Sequence, residues 1–120
     1  MILALLLAAA APARSQMELS VQAGTDYRAA DAAMNVQYRA TMAHMKQMGG
    51  LNAPDAQVGP SYRSALLASQ RAWLGYRDAE CAVEGYEFRG GTAEGMAGSQ
   101  CLARLTRART AQLRQMAVTK

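Results

Sequence analysis

SQRAWLGYRDAEC, residues 69–81, decides the fold together with a Gly90-Gly91 break and a second cysteine, Cys101. Gln70, Trp73, Leu74, Arg77 and Cys81 recur every three or four residues, the period of a helix with one inward stripe. Cys81 and Cys101 stand ten positions either side of Gly91. At about 1.5 Å of rise per residue, an equal count along two antiparallel helices returns both cysteines to one height. The stretch therefore predicts a helical hairpin closed by a Cys81–Cys101 disulfide.

Working outward, the second helix starts near Pro60-Ser61, where a proline at the first helical position sacrifices no hydrogen bond. Its stripe begins with Tyr62, Leu66 and Leu67, and the helix ends before Gly90. Leu67, Leu74 and Cys81 are spaced by sevens. Beyond Gly91, Thr92 is a fair N-cap, although Gly95 stands where a capping box wants Glu. Gly95 and Gly98 weaken the first turns, so regular helix is expected only from about Ser99. Cys101, Leu102, Leu105, Arg109, Leu113 and Met116 form the third stripe. Upstream, Glu18 to Met48 reads as one long helix, or a short one leading into a long one, with Tyr27, Ala30, Met34, Tyr38, Met42 or Thr41, Met45 and Met48 inward, stopped by Gly49-Gly50. Leu51 to Gly59 has the composition of a connecting loop. Three amphipathic helices must bury their stripes against one another, so the expected fold is all-α, a small antiparallel three-helix bundle.

Composition agrees. The chain has 120 residues, 51% of them hydrophobic and 18% charged, enough for one domain with a modest core. A formal charge of +4 lacks the dense basic stripes of nucleic-acid binders, so no nucleic-acid partner is expected. Ile2 to Ala11 is an apolar run of ten, too short to span a bilayer. Ala11-Pro12-Ala13 follows it and fits the small-x-small rule of signal peptidase. Residues 1–13 are read as a signal peptide cleaved after Ala13, with Ser15 as a second position. Export and two cysteines imply an oxidising compartment, periplasmic or secreted.

Charges on the inward stripes need partners. Asp31 lies between Tyr27 and Met34, Arg77 one turn after Trp73, and Arg109 among the leucines of the third helix. Buried charges are paired as a rule, which predicts a structural network joining Asp31 to Arg77 or Arg109, with an arginine over the Trp73 ring. General acid or base work by Asp31 would need a second group at reach, and none is supplied. His44 is the sole histidine, and both cysteines are assigned to the bridge, so no nucleophilic triad can be assembled. Zinc-ligand spacing and a phosphate-cradling loop are missing too. Neither an enzyme nor a cofactor is expected.

Two constellations invite function. TMAHMKQM carries Met42, His44, Met45 and Met48, soft ligands suited to Cu(I), although methionines at helical spacing equally fill a core. Around the hairpin, Asp78, Glu80, Glu84, Glu87 and Glu94 face one base, Arg89, whereas Arg104, Arg107, Arg109, Arg114 and Lys120 close the chain without an acid. The acidic tip is either a solvated end or a docking patch for a cationic partner.

LLASQRAWLGYRDAEC, then GGT, CLARLTR and QLRQM, with YRAADAAMNVQY at Tyr27–Tyr38, resembles the lysozyme-inhibitor LprI-like N-terminal domain family of small exported bacterial proteins. The likeness covers roughly Leu19 to Met116, so residues 14–120 form one LprI-like domain. It implies an all-helical domain with the Cys81–Cys101 bridge. Many members carry a further cysteine pair near the start, and Gln22 occupies the matching place here. That bridge is absent, which implies a more loosely attached first helix. The resemblance also implies a protein partner, lysozyme for some members. A +4 chain is repelled at long range by a strongly basic lysozyme, and only the tip from Asp78 to Glu94 could offset this. Three functional readings follow: an exported protein-binding module of lysozyme-inhibitor type, a soft-metal binder, or an envelope protein without ligand.

Overall fold

The computed structural model describes residues 14–52, 59–91 and 93–118, of which residues 50–52 by backbone alone. The proposed leader, most of the loop from Leu51 to Gly59, the Thr92 cap and Lys120 lie outside them. Among the described residues there are three helices: α1 (Gln16–Asn52), α2 (Tyr62–Tyr86) and α3 (Ala93–Val118). Partner positions along α2 and α3 run in opposite directions, Gln70 with Arg109, Arg77 with Thr106, Cys81 with Cys101. Along α1 and α3 they run together, Gln16 with Met96 and Thr41 with Leu113. The bundle is thus up-down-up. α3 packs against both neighbours, its longest seam being with α1, and α1 meets α2 least.

Helix ends follow local hydrogen bonding more than glycine content. α1 begins two residues before the expected Glu18, because Ser15 and Glu18 form a reciprocal cap. Ser15 Oγ accepts from the Glu18 N–H at 3.1 Å, and the Ser15 N–H donates to the Glu18 carboxylate at 3.3 Å. At its far end α1 runs through Gly49-Gly50 to Asn52, since a helical glycine costs only about 1 kcal/mol and does not by itself end a helix. Pro60 lies outside α2, whose N-cap is Ser61, with Oγ accepting from the Ser64 N–H.

The hairpin turns at residues 87–91, where Gly90 takes φ +84°, a conformation that favours glycine. Its N–H donates to Glu94 at 3.3 Å. α3 starts at Ala93 rather than near Ser99. Gly95 and Gly98 do not delay it, because the first turns of α3 lie against the last turn of α2. A Cβ placed on the buried Gly85 would stand 3.6 Å from the Glu94 carbonyl oxygen and 4.0 Å from the Gly98 Cα. Close approach of the two backbones replaces what propensity lacks.

Cys81 and Cys101 are joined as expected, with Cα atoms 5.4 Å apart. Below the bridge, Met34, Leu66 and Leu113 form the apolar centre, with Tyr38, Met42, Met45, Trp73, Leu74 and Met116 against it. Of the two candidates at one position of the α1 stripe, Thr41 is fully buried, its hydroxyl donating to the Leu113 carbonyl at 2.8 Å, and Met42 is partly so. Tyr62 and Leu67, expected inward, are exposed. Leu66 of the same turns is the one that enters the core, against Met34 and Leu113. Gln22 is exposed and donates to Asp26 at 2.8 Å, leaving α1 held by its seam with α3.

Closing a loop of this length removes about 3 kcal/mol of unfolded-state freedom on the chain-entropy view. Reduction, or Cys81→Ser, is expected to lower the melting temperature by about 10 °C or more. A thermal transition unmoved by reductant in scanning calorimetry would show that the bridge contributes nothing.

Candidate functional site

Arg77 is buried where the three helices meet, and its guanidinium is shared among them. Nη1 donates to Asp31 of α1 at 3.0 Å and to the Thr106 hydroxyl of α3 at 3.3 Å, while Nε donates to Asp78 at 2.9 Å. The same group stacks 5.4 Å from the Tyr27 ring centre and 5.5 Å from that of Trp73. Burial works to lower its pKa, but hydrogen bonds to Asp78 and Asp31 outweigh it and hold the group above its ordinary value. Arg77 is therefore the arginine that Asp31 meets. Asp31 sits at the rim, its side chain 34% exposed against 7% for Arg77, so water screens part of the attraction.

Arg109 meets a different set. Nε donates to Gln70 at 2.9 Å, Nη2 to Ser69 at 3.0 Å and Nη1 to Gln112 at 3.2 Å, with the Trp73 ring centre 5.7 Å away. All three acceptors are neutral, and burial pushes its pKa below the ordinary value. Gln70 is fixed in turn, its amide donating to Met34 Sδ at 3.6 Å. Trp73 thus stacks with both expected arginines, while Tyr27, Ser69, Gln70, Thr106 and Gln112 join a network that the charged residues alone did not reveal.

The five acids of the tip are not one free patch. Asp78 is engaged by Arg77, and Glu84 accepts from Arg104 at 2.6 and 2.8 Å. Glu94 is tied to the Gly90 backbone. Among the described residues Glu80 and Glu87 have no such partner. Glu87 borders two open depressions. One is lined by Ala82, Val83 and Tyr86, the other, of about 270 Å³, by Glu84, Phe88, Ala93, Met96, Gln100 and Arg104 between the end of α2 and the start of α3. Phe88, Val83 and Tyr86 are exposed there, and Arg89 bonds to and stacks on Tyr86.

Of the methionine and histidine residues in TMAHMKQM, Met42 and Met45 lie against the core. His44 Nε2 is the one buried side-chain nitrogen or oxygen without a partner among the described residues. Those residues also contain no group of three or more His, Cys, Asp or Glu arranged to hold a metal ion. No described helix is long and apolar enough to cross a membrane.

These features define a class: a disulfide-closed, up-down-up three-helix bundle with an arginine–aromatic interior and an acidic hairpin end. The chain belongs to the lysozyme inhibitor LprI family, which it matches over residues 8–113. It is 47% identical over 106 residues to an uncharacterised protein of Rhizobium meliloti (strain 1021), covering 85% of this chain and 73% of that one. The crystal structure of a DUF1311 family protein from Pseudomonas putida KT2440 has the same fold, with a TM-score of 0.74 at 22% identity, covering 88% of this chain and 97% of that one.

The two arginines should respond differently to replacement. Arg77→Met removes two charge-assisted bonds and leaves the fully buried Thr106 hydroxyl without its donor, at an expected cost of about 3 kcal/mol. Arg109→Met also relieves a buried charge that meets no carboxylate, so it should cost about half as much. Urea denaturation of both variants gives the order, and the reverse order would refute the assignment of Arg77 as the principal tie.

Proposed function

We propose that this protein is an exported binding module of lysozyme-inhibitor type, which docks a cationic protein surface on the groove at the far end of the hairpin. The observation that carries the reading is Glu87. This carboxylate lies unpaired among the described residues between two open depressions, beside the exposed Phe88 and with Met96 in the groove wall. An apolar anchor next to a free carboxylate is the combination that holds a lysine or arginine side chain by its stem and its charge together. Glu80, one helical turn before Glu84 on the same side of α2, adds a second free acid.

Three further facts support the reading. The family description names lysozyme inhibition. The apolar run at residues 2–11 and the small residues after it have the pattern of an export signal. A disulfide suits an oxidising compartment. Because the whole chain carries +4, a basic partner gains no long-range steering, and docking relies on contacts at the groove.

Purified protein is expected to inhibit a basic lysozyme in a cell-wall turbidity assay at micromolar concentration. The double reversal Glu80→Lys/Glu87→Lys should weaken inhibition by about tenfold or more, with the melting temperature unchanged. Absence of inhibition by the wild type removes lysozyme as the partner. Equal inhibition by the reversal variant removes the groove.

A further inference from the structure

The outward side of α2 carries an apolar stripe that is exposed among the described residues, with Arg89 stacked on its last member, Tyr86. Positions 65, 68, 72, 76, 79, 83 and 86 step by three and four, hold only Ala, Val and Tyr, and are all exposed. Tyr76 is 56% exposed, and Val83 and Tyr86 are each 61% exposed, although three or four turns of one helix present them together. The charges beside this stripe are laid out against the helix dipole. Arg71 falls in the N-terminal half of α2 and Asp78 and Glu80 in the C-terminal half, and there is no acid in the first turn and no base in the last.

We propose that this face of α2 is a self-association surface, on which two copies of the chain pair antiparallel about a two-fold axis beside Tyr76. The stripe reads nearly the same from either end. Turned about an axis between Gly75 and Tyr76, Ala65 falls opposite the partner's Tyr86, Ala68 opposite the partner's Val83, and Ala72 opposite the partner's Ala79. Large residues thus meet small ones, as an isologous interface requires of a self-complementary patch. The same rotation opposes the two dipoles and brings Arg71 onto the same flank as the partner's Asp78. The two lie about 3 Å apart along the helix axis, within reach of an arginine side chain, and the symmetry repeats the pair. Arg71 has no partner among the described residues, and Asp78 remains 64% exposed despite its bond to Arg77, so both can take part.

Charge also selects this occupant over others. A basic protein laid along the stripe would meet Arg71, and an acidic one would meet Asp78 and Glu80. A second copy running the other way matches both halves. The groove at Phe88 and Met96 lies between α2 and α3, and only the Val83 and Tyr86 end of the stripe is shared with the docking proposed above.

Sedimentation velocity from micromolar to hundreds of micromolar protein is expected to show a reversible monomer–dimer equilibrium. Tyr76→Glu should weaken it by about tenfold or more while helicity and melting temperature stay those of the wild type, because Tyr76 is exposed and has no hydrogen bond or ring contact among the described residues. Tyr76→Cys, beside the axis, should yield a disulfide-linked dimer under mild oxidation, with the Cys81–Cys101 bridge checked by peptide mapping. Val36→Cys, on the outward side of α1 and 59% exposed, should not. A wild type that stays monomeric throughout, or equal cross-linking at positions 76 and 36, overturns the proposal.

Discussion

The burial of Arg77 is the constraint around which the bundle is arranged. A guanidinium enclosed to this degree cannot be left without acceptors, because the desolvation it suffers is worth several kcal/mol. Each helix supplies part of the compensation: Asp31 and Tyr27 from α1, Asp78 and Trp73 from α2, Thr106 from α3. α1 and α2 otherwise share little contact, so the Arg77–Asp31 pair and the Gln70–Met34 bond are what tie these two helices directly. α3 needs no such tie. It has a long seam with α1 and a covalent link to α2.

An interior of this kind trades stability for register. Thr41, Gln70, Arg77, Thr106, Arg109 and Thr110 are buried beside an apolar set that includes only three large hydrophobic side chains, Met34, Leu66 and Leu113. Small alanines on α1 and α3 would pack acceptably in more than one vertical offset. Directional bonds would not, since a one-turn slip of α1 would carry Asp31 about 5 Å from Arg77 and Thr41 the same distance from the Leu113 carbonyl. The disulfide fixes the remaining degree of freedom, the height of α2 against α3, at the end of the hairpin where the apolar core does not reach.

Much of this was legible in the sequence, and the parts that were not share a cause. Cysteines symmetric about Gly91 announce the hairpin, and charges on apolar stripes announce a buried network. Which arginine meets Asp31 depends on the height of α2 against α1, and neither helix encodes that height alone. Thr106 and Thr110 escape notice because threonine is read as a surface residue until a neighbouring helix covers it. The start of α3 escapes for a related reason: Gly95 and Gly98 lower helix propensity, whereas contact with Gly85 across the hairpin reverses the outcome. Ser15 to Glu18 is different. That capping box is local and visible, and it was masked only because the helical period becomes clear further along. At the acidic tip, counting charges hid the fact that Asp78 and Glu84 are engaged by Arg77 and Arg104.

α2 consequently has three sides with separate duties. Its inner side carries the network and the cysteine. The flank toward α3 opens into the groove at Glu87 and Phe88. Its outer side carries the apolar stripe. A helix serving only as scaffold would be free to place acids at its N-terminus and bases at its C-terminus, where the dipole favours them. α2 has no acid in its first turn and no base in its last, and neither Arg71 nor Glu80 takes part in the network. A charge order that a helix does not need for itself, beside an apolar stripe it does not bury, is what a surface shaped by contact with another molecule would carry.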